Sequence, residues 1–408
     1  MSKFAELNSV LSFVSDSTIT PGPAEAARAR FTLDGDRALE RHLDRVCDRV
    51  RSGVRGIIPE TKLQAILLGG GYGRGEGGVL RDSAGDWPYN DMEFYVIVEG
   101  NRHLNETLYR RPLEVLGEIL THLADVEVEF KIASLAELRT QPVSMFSYDL
   151  FSGNRQLWGD VNLLSGCEHH RRAEDIPLSE ATRLLMNRST GLLLARQKLA
   201  ADPLAPGDAD FIRRNIAKAA LACGDAVLTA RKLYHWSCRE RHTRLERLIR
   251  TDDLPGHELL LEQHAMGVEF KLHPEATLLS RSELLAMHAE IAELARRCWL
   301  WVEQQRLGRV FASVREYALT PVDVCPGEAG VRSVLMNLRA DGFRPQLSPP
   351  PWRHPRQRLF RALAVLLWDP TALNDPAMVA LLQRELRTHG TNGPELMRAY
   401  VRLWERVR

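Results

Sequence analysis

Apolar residues in the first 165 positions recur at two different spacings. Four of them lie three or four positions apart and predict a helix within residues 24–54: Leu39, Leu43, Val46 and Val50. Short apolar runs predict buried strands at 62–68, 91–98 and 126–133, and helical spacing returns at 113–124. Strand, turn, strand, helix and strand in this order predict a small α/β unit.

Beyond about residue 177 the apolar spacing is helical and strand signals are nearly absent. The clearest helical segments are 178–201, 210–237, 282–307 and 357–368. A proline-rich stretch at 347–351 predicts an extended linker or surface loop before the last segment. We therefore expect an α+β chain, in which a small mixed sheet with flanking helices precedes a mostly α-helical domain.

The expected domain organisation follows from these patterns. Residues 1–60 form an N-terminal helical lead-in, of which the first 22 are poorly ordered or weakly helical. The sheet domain spans 61–165, the helical domain spans 176–345, and a C-terminal helical segment spans 352–408.

A glycine run directly follows the first predicted strand. Seven of the ten residues 69–78 are glycine. Without Cβ atoms, backbone N–H groups can converge there and form a concave site for phosphate. A flexible loop is the alternative interpretation of the same run.

Two well-known glycine motifs do not account for the run. A P-loop ends in Gly-Lys-Ser/Thr, and this run contains no Lys, Ser or Thr. The dinucleotide pattern GxGxxG matches formally at Gly73, Gly75 and Gly78. However, residues 79–90 are too short for the crossover helix, and the acidic residues stand at the start of the next strand.

Acidic residues occupy one face of both strands that follow. Strand side chains alternate, so Asp91 and Glu93 point to the same side, as do Glu127, Glu129 and Lys131. Two carboxylates at the mouth of an apolar strand repel each other unless a cation lies between them. The pattern predicts a divalent metal site, Mg²⁺ (or Mn²⁺), which Glu127 or Glu129 completes as the third carboxylate.

The segment LLGGGYGRGEGG…NDMEFYVIV resembles the nucleotidyltransferase superfamily of the DNA polymerase β type. The string GGYGRGE, followed by Pro-Tyr-Asn-Asp-Met-Glu, is similar to the loop of protein-PII uridylyltransferases and their relatives. The resemblance covers residues 65–133 and extends at most to 159. It implies a nucleotidyltransferase-type sheet and a metal site made by Asp91, Glu93 and Glu129. Glu129 is preferred to Glu127 because a basic residue and an apolar strand end follow it.

The resemblance also implies that the glycine run holds a triphosphate. The residues implied are Gly70, Gly71, Tyr72, Gly73 and Arg74. The side chain of Arg74 either contacts phosphate or anchors the loop on Glu76 or Asp91. Glu76 itself is assigned a role in bracing the loop.

The chain departs from the family pattern in three ways. The serine that usually follows the first glycine is glycine, and residues 83–87 lengthen the spacing to Asp91. The helical region lacks the histidine–aspartate pattern of metal-dependent phosphohydrolases, so a role in modifying PII is not implied.

The helical segment 213–226 is similar to the helical domain of some small-molecule and antibiotic nucleotidyltransferases. One face of this segment carries Asn215, Lys218, Ala222 and Asp225. Lys218 would then reach the triphosphate. An ordinary amphipathic helix with a solvated polar face is the alternative.

The implied reaction moves a nucleoside monophosphate from a nucleoside triphosphate to a hydroxyl or similar acceptor and releases pyrophosphate. A non-catalytic nucleotide-binding scaffold or regulatory protein is the alternative. The net charge of +1 favours a small-molecule or protein acceptor over a long nucleic acid, which needs many Lys or Arg contacts.

Composition adds expectations about the setting of the chain. No apolar run is long enough for a membrane span, and residues 1–17 do not resemble a signal peptide. Six scattered cysteines without a CxxC motif favour a reduced, cytoplasmic environment. The cluster at residues 167–170, Cys-Glu-His-His, suggests a second metal site, although no other ligand pair with zinc-like spacing accompanies it.

Overall fold

The structure is a computed structural model that describes residues 30–250, 254–275, 279–325, 330–341 and 350–407. Contacts divide this chain into two compact units. The first contains residues 30–177, 231–245 and 268–275, and the second contains the remainder. The first 22 residues and most of the proline-rich stretch lie outside the described residues, so the expectations for them stay predictions.

The first unit contains the strands and helices that the apolar pattern predicts within the first 165 residues. Its elements are α1 (Arg37–Ile57), β1 (Leu63–Leu68), α2 (Gly70–Arg74), β2 (Gly78–Asp82), β3 (Gly85–Tyr89), β4 (Met92–Val98), α3 (Arg102–Ala124), β5 (Val128–Ala133), α4 (Leu135–Thr140), α5 (Met145–Ser152) and β6 (Arg155–Gly159). Two short 3₁₀ turns follow, at Glu168–Arg171 and Ala173–Asp175.

The main sheet is mixed and has four strands in the order β5-β4-β1-β6. β1 pairs antiparallel with both β4 and β6, whereas β4 and β5 are parallel. α3 connects the two parallel strands, as a parallel pair requires a crossover. In the parallel register Glu93 lies opposite Glu129.

Three strands were not predicted from the sequence. β2 and β3 form a separate antiparallel hairpin in the stretch that lengthens the spacing to Asp91. β6 pairs with β1 at the sheet edge. These strands are five residues long and contain glycine, proline or charged residues, so they lack the apolar alternation that identifies a strand.

The two faces of the sheet pack against different helices. Met92, Phe94 and Val96 face one core together with α1 and α3, as strand alternation predicts. Tyr95 and Ile97 face the other, which includes residues of α4 and α5. α1 begins at an Asp36 cap and buries all four of its predicted apolar positions. The predicted acidic side of β4 is thus the face that α4 and α5 cover in part.

The second unit is helical. Its elements are α6 (Leu178–Leu199), α7 (Asp208–Ala230), α8 (Cys238–Ile249), α9 (His257–Leu272), α10 (Arg281–Leu307), α11 (Val314–Leu319), α12 (Val331–Asp341), α13 (Arg356–Trp368), α14 (Pro376–Leu386) and α15 (Gly393–Val407), with the start of α8 and the end of α9 assigned to the first unit. α6, α7 and α10 pack against one another, and α13 packs against both α6 and α10.

Aromatic rings around the buried Trp299 form part of the core of the second unit. Trp299 lies with its ring centroid 5.5–5.7 Å from those of Tyr317, Phe360 and Trp368. No strand occurs in the described part of the chain after residue 159, which confirms the helical prediction there. The described chain is therefore α+β. None of its described helices combines the length and apolar character needed to cross a membrane.

Candidate metal centre

Three carboxylates converge where β4 and β5 begin. One oxygen from each of Asp91, Glu93 and Glu129 lies within 4.8 Å of the others, so the predicted convergence is confirmed. Glu129 belongs to the group because the register places it opposite Glu93. Glu127 is exposed and lies outside the group. Three carboxylate oxygens are a donor set that suits a hard divalent cation such as Mg²⁺ or Mn²⁺.

The glycine turn lies directly beside this group. The Gly69 N–H donates to the Glu93 carbonyl oxygen at 2.9 Å. A Cβ on Gly70 would lie 3.3 Å from Glu93 Oε2, and the φ of Gly70 is +61°. A residue with a side chain would be strained there, which is a physical reason for glycine at the second position of the run.

Within the glycine run, Gly70–Arg74 form a tight helical turn, in place of the flexible loop of the alternative interpretation. The Gly73 N–H donates to the Gly69 carbonyl oxygen at 2.9 Å, and Gly75 ends the turn with a φ of +76°. The first N–H groups of any helix have no acceptor within the helix. Those of Gly70 and Gly71 therefore remain candidates for phosphate, and their role stays a prediction.

The side chain of Tyr72 does not belong to a nucleotide site. Its ring is buried, and its hydroxyl accepts from the Tyr89 N–H at 2.8 Å and donates to the Tyr89 carbonyl oxygen at 2.9 Å. Burial raises the pKa of this hydroxyl. Tyr72 holds the end of the β2–β3 hairpin, so only its backbone can contribute to phosphate binding.

Arg74 is anchored by a residue that the sequence did not suggest. Its guanidinium lies 3.7 Å from Asp149 of α5, so the partner is neither Glu76 nor Asp91. The Arg74 side chain is only 9% exposed. Arg74 thus anchors the turn as one interpretation predicted, but on Asp149 rather than on Glu76 or Asp91. Its contact with phosphate stays a prediction.

Glu76 braces the glycine turn, as expected. Its buried carboxylate accepts hydrogen bonds from the Ser237 hydroxyl and, at 2.9 Å, from the Cys238 N–H at the start of α8. Burial alone would raise the pKa of Glu76, but these hydrogen bonds and the charge of Lys271 lower it below its usual range. The side chain is ionised and fully engaged in the fold.

Two residues beside the triad were not assigned to the site from the sequence. Lys131 Nζ lies 2.5 Å from Glu93 Oε1 and 3.5 Å from Glu129 Oε2. The same ammonium lies 5.6 Å from the centroid of the Tyr95 ring, and the Tyr95 hydroxyl donates to Glu93 Oε2 at 3.4 Å. The alternation of side chains along β4 could have identified Tyr95, since it follows Asp91 and Glu93 on the same face of the sheet.

The pKa of Lys131 reflects these contacts. Burial lowers it, but the hydrogen bond and the charge of Glu93 outweigh that effect and raise it. The ammonium is therefore charged throughout the physiological range.

A groove of about 760 Å³ runs along β5, and Glu129 is the member of the triad that lines it. It lies between α3 and β5, and its walls include Glu127, Glu129 and Lys131. Glu129 thus belongs to both the triad and the wall of this groove, and Lys131 lies beside both.

Two other sequence candidates lie apart from this geometry. Lys218 is on α7 in the second unit, and its contact with a triphosphate stays a prediction. In the 167–170 cluster, His169 Nε2 and His170 Nε2 lie within hydrogen-bond distance of the carbonyl oxygens of Gln141 and Leu138. Among the described residues, the group that could hold a metal ion is the acidic triad.

Comparison with known proteins does not assign a function to this chain. No protein-family model matches the chain, and no curated protein is similar enough in sequence to count as a match. The chemistry of the triad and the glycine turn therefore carries the functional argument.

Proposed function

We propose that this chain is a metal-dependent nucleotidyltransferase, which moves a nucleoside monophosphate from a nucleoside triphosphate to a hydroxyl-bearing acceptor. The observation that supports this most directly is the convergence of Asp91, Glu93 and Glu129 beside a glycine turn. Exposed acidic groups often cluster without a metal. Here, however, they stand at the start of two adjacent parallel strands, next to backbone N–H groups suited to phosphate.

The donor set assigns a role to each carboxylate. Asp91 and Glu93 would hold Mg²⁺ (or Mn²⁺), and Glu129 would be the third ligand. The bound metal would supply the positive charge that offsets the α-phosphate and the departing pyrophosphate. Gly70 and Gly71 would orient the triphosphate through their N–H groups.

The reaction replaces one bond to the α-phosphorus with another. The acceptor oxygen bonds to this phosphorus, and the bond to the oxygen that bridges to the β-phosphate breaks, which releases pyrophosphate. The acceptor's proton passes to Glu129 or to solvent. Catalysis of this kind depends mainly on positioning and on neutralising charge.

A non-catalytic nucleotide-binding scaffold is the second candidate. The ion pair between Lys131 and Glu93 favours it, because the ammonium already neutralises part of the triad. A scaffold would bind a triphosphate without releasing pyrophosphate, whereas an enzyme would need the metal and would release it.

The net charge of the chain bears on the class of acceptor molecule. The net charge of +1 favours a small molecule or a protein over a long nucleic acid. A pyrophosphate-release assay with four labelled triphosphates and cell extract, followed by mass spectrometry of the labelled product, would identify both the base and the acceptor.

Substitutions in the triad test the proposal. Asp91→Asn and Glu129→Gln keep the size of each side chain but remove a negative charge from the metal site. We expect each to lower pyrophosphate release by about 100-fold or more while the fold is kept. The matched control is Glu127→Gln, which should retain activity. Glu127 points to the same side as Glu129 but lies outside the triad.

Two results would contradict the proposal. Asp91→Asn with full pyrophosphate release would remove Asp91 from the metal site. Equal losses in Glu127→Gln and Glu129→Gln would show that the triad geometry does not determine activity.

A further inference from the structure

We propose that Lys131 is a resident counter-ion of the triad, which competes with the divalent cation and sets the cation concentration at which the site loads. This inference rests on the metal role proposed for Asp91, Glu93 and Glu129. It adds a regulatory function for a residue that takes no part in the proposed chemistry.

The position of the ammonium is the first argument. Lys131 Nζ is 2.5 Å from Glu93 Oε1 and 3.5 Å from Glu129 Oε2, so it contacts two of the three proposed ligands. A Mg²⁺ ion lies about 2.1 Å from each carboxylate oxygen that it binds. An ammonium and a divalent cation on the same two carboxylates would repel each other strongly, so binding of one weakens binding of the other.

The surroundings of Lys131 favour a cation in this place. Its ammonium lies above the Tyr95 ring at 5.6 Å from the centroid, and a cation is attracted to the face of an aromatic ring. Tyr95 is buried, and its hydroxyl donates to the other oxygen of the Glu93 carboxylate. The Tyr95 ring and the Glu93 carboxylate therefore form one binding site for the Lys131 ammonium.

The lysine also has room to leave. Its side chain is 42% exposed and borders the groove between α3 and β5. A lysine stem is flexible, so the ammonium can move from the carboxylates into this groove without a change in the backbone. A divalent cation that binds the carboxylates must displace this ammonium, so the metal should bind the wild type weakly.

Binding of Mn²⁺ alone, followed by electron paramagnetic resonance, tests the competition without nucleotide or acceptor. Lys131→Met and Lys131→Gln remove the competing charge, and both should bind Mn²⁺ on the order of tenfold more tightly than the wild type. Lys131→Arg keeps the charge and should stay close to the wild type. The matched control is Lys62→Met, because Lys62 forms a similar ion pair with Glu99 at 3.1 Å outside the triad; it should not change Mn²⁺ binding.

A second measurement on the same proteins uses thermal unfolding. In a chelator, Lys131→Met should melt at a lower temperature than the wild type, since three carboxylates then repel one another without a cation. Mn²⁺ should raise the melting temperature of this variant more than that of the wild type.

The outcomes separate this inference from the proposed function. Equal Mn²⁺ binding by the wild type and both neutral variants, or weaker binding by the variants, would overturn the role of Lys131 and leave the metal site standing. Binding that persists in Asp91→Asn, or no binding by any variant, would overturn the metal site and the counter-ion role together.

Discussion

At the scale of single residues, two carboxylates of the first unit, Glu76 and Glu93, serve opposite purposes because their partners differ. Glu76 is buried and accepts hydrogen bonds from Ser237 and Cys238, so its charge is satisfied by the fold. Glu93 shares its surroundings with other carboxylates, and its carboxylate accepts hydrogen bonds from Lys131 and Tyr95. A buried carboxylate with donors stabilises a structure, whereas clustered carboxylates attract a cation.

Replacing Glu76 tests the stabilising role and its pH dependence. The pKa of Glu76 is lowered in the folded chain, because donated hydrogen bonds outweigh the effect of burial. Its contribution is therefore present above the unfolded-state pKa of about 4.3 and is lost as the pH falls through the lower folded-state pKa. Glu76→Gln should lower the free energy of unfolding by about 1–3 kcal/mol at pH 7 and by less near pH 3.

Urea unfolding at both pH values would measure this effect. The exposed Glu127→Gln is the control and should change the free energy of unfolding by less than about 0.5 kcal/mol. A Glu76→Gln variant as stable as the wild type at pH 7 would contradict the bracing role.

At the scale of elements, the glycine turn joins β1 to the hairpin by close backbone packing. A Cβ on Gly73 would lie 2.1 Å from the Leu68 carbonyl oxygen, and one on Gly77 would lie 2.2 Å from the Tyr72 ring. Real side chains do not approach so closely. The glycines are therefore required for the close packing of the turn, whether or not the turn binds phosphate. This packing holds the turn against Glu93.

Gly73→Ala tests this packing. The added methyl group would meet backbone, which cannot move aside cheaply, so we expect the free energy of unfolding to fall by roughly 3 kcal/mol or more. Gly393→Ala is a suitable control, because its Cβ would meet Leu373 at an ordinary 3.5 Å. It should change stability by less than about 1 kcal/mol. Equal effects in denaturant unfolding would refute the packing argument.

At the scale of the whole molecule, the first unit is built from separate parts of the chain. Residues 231–245 and 268–275 join residues 30–177 in it. Ser237 and Cys238 satisfy Glu76, the Tyr234 hydroxyl donates to Asp149 at 3.2 Å, and His273 contacts Asp34 at 3.1 Å. The sheet therefore depends on residues that lie far away in sequence.

A fragment of residues 30–177 tests this dependence. It contains the whole sheet and the triad but lacks the partners of Glu76, and a buried charge without partners is costly. We expect faster amide hydrogen exchange in β1 and α2 of the fragment than in the full chain, together with a lower melting temperature. Exchange in the fragment that matches the full chain would show that the later segments are dispensable.

Much of the candidate site could be predicted from local pattern. Alternation along β4 and β5 places Asp91, Glu93 and Glu129 on the polar side and leaves an apolar core on the other. The glycine run marks a place where backbone must approach closely. The helical spacing after residue 177 predicts the character of the second unit. These properties depend on neighbours within a few residues, and the sequence by itself determines them.

Other features were decided by the tertiary structure. The register of β4 against β5 brings Glu129 rather than Glu127 to Glu93. Packing buries Tyr72 and gives Arg74 the partner Asp149. Local pattern sets the face on which a side chain points, but the distance between two strands' side chains depends on how the helix that joins them packs. That packing is a sum over residues distant in sequence, which is why only the folded chain determines it.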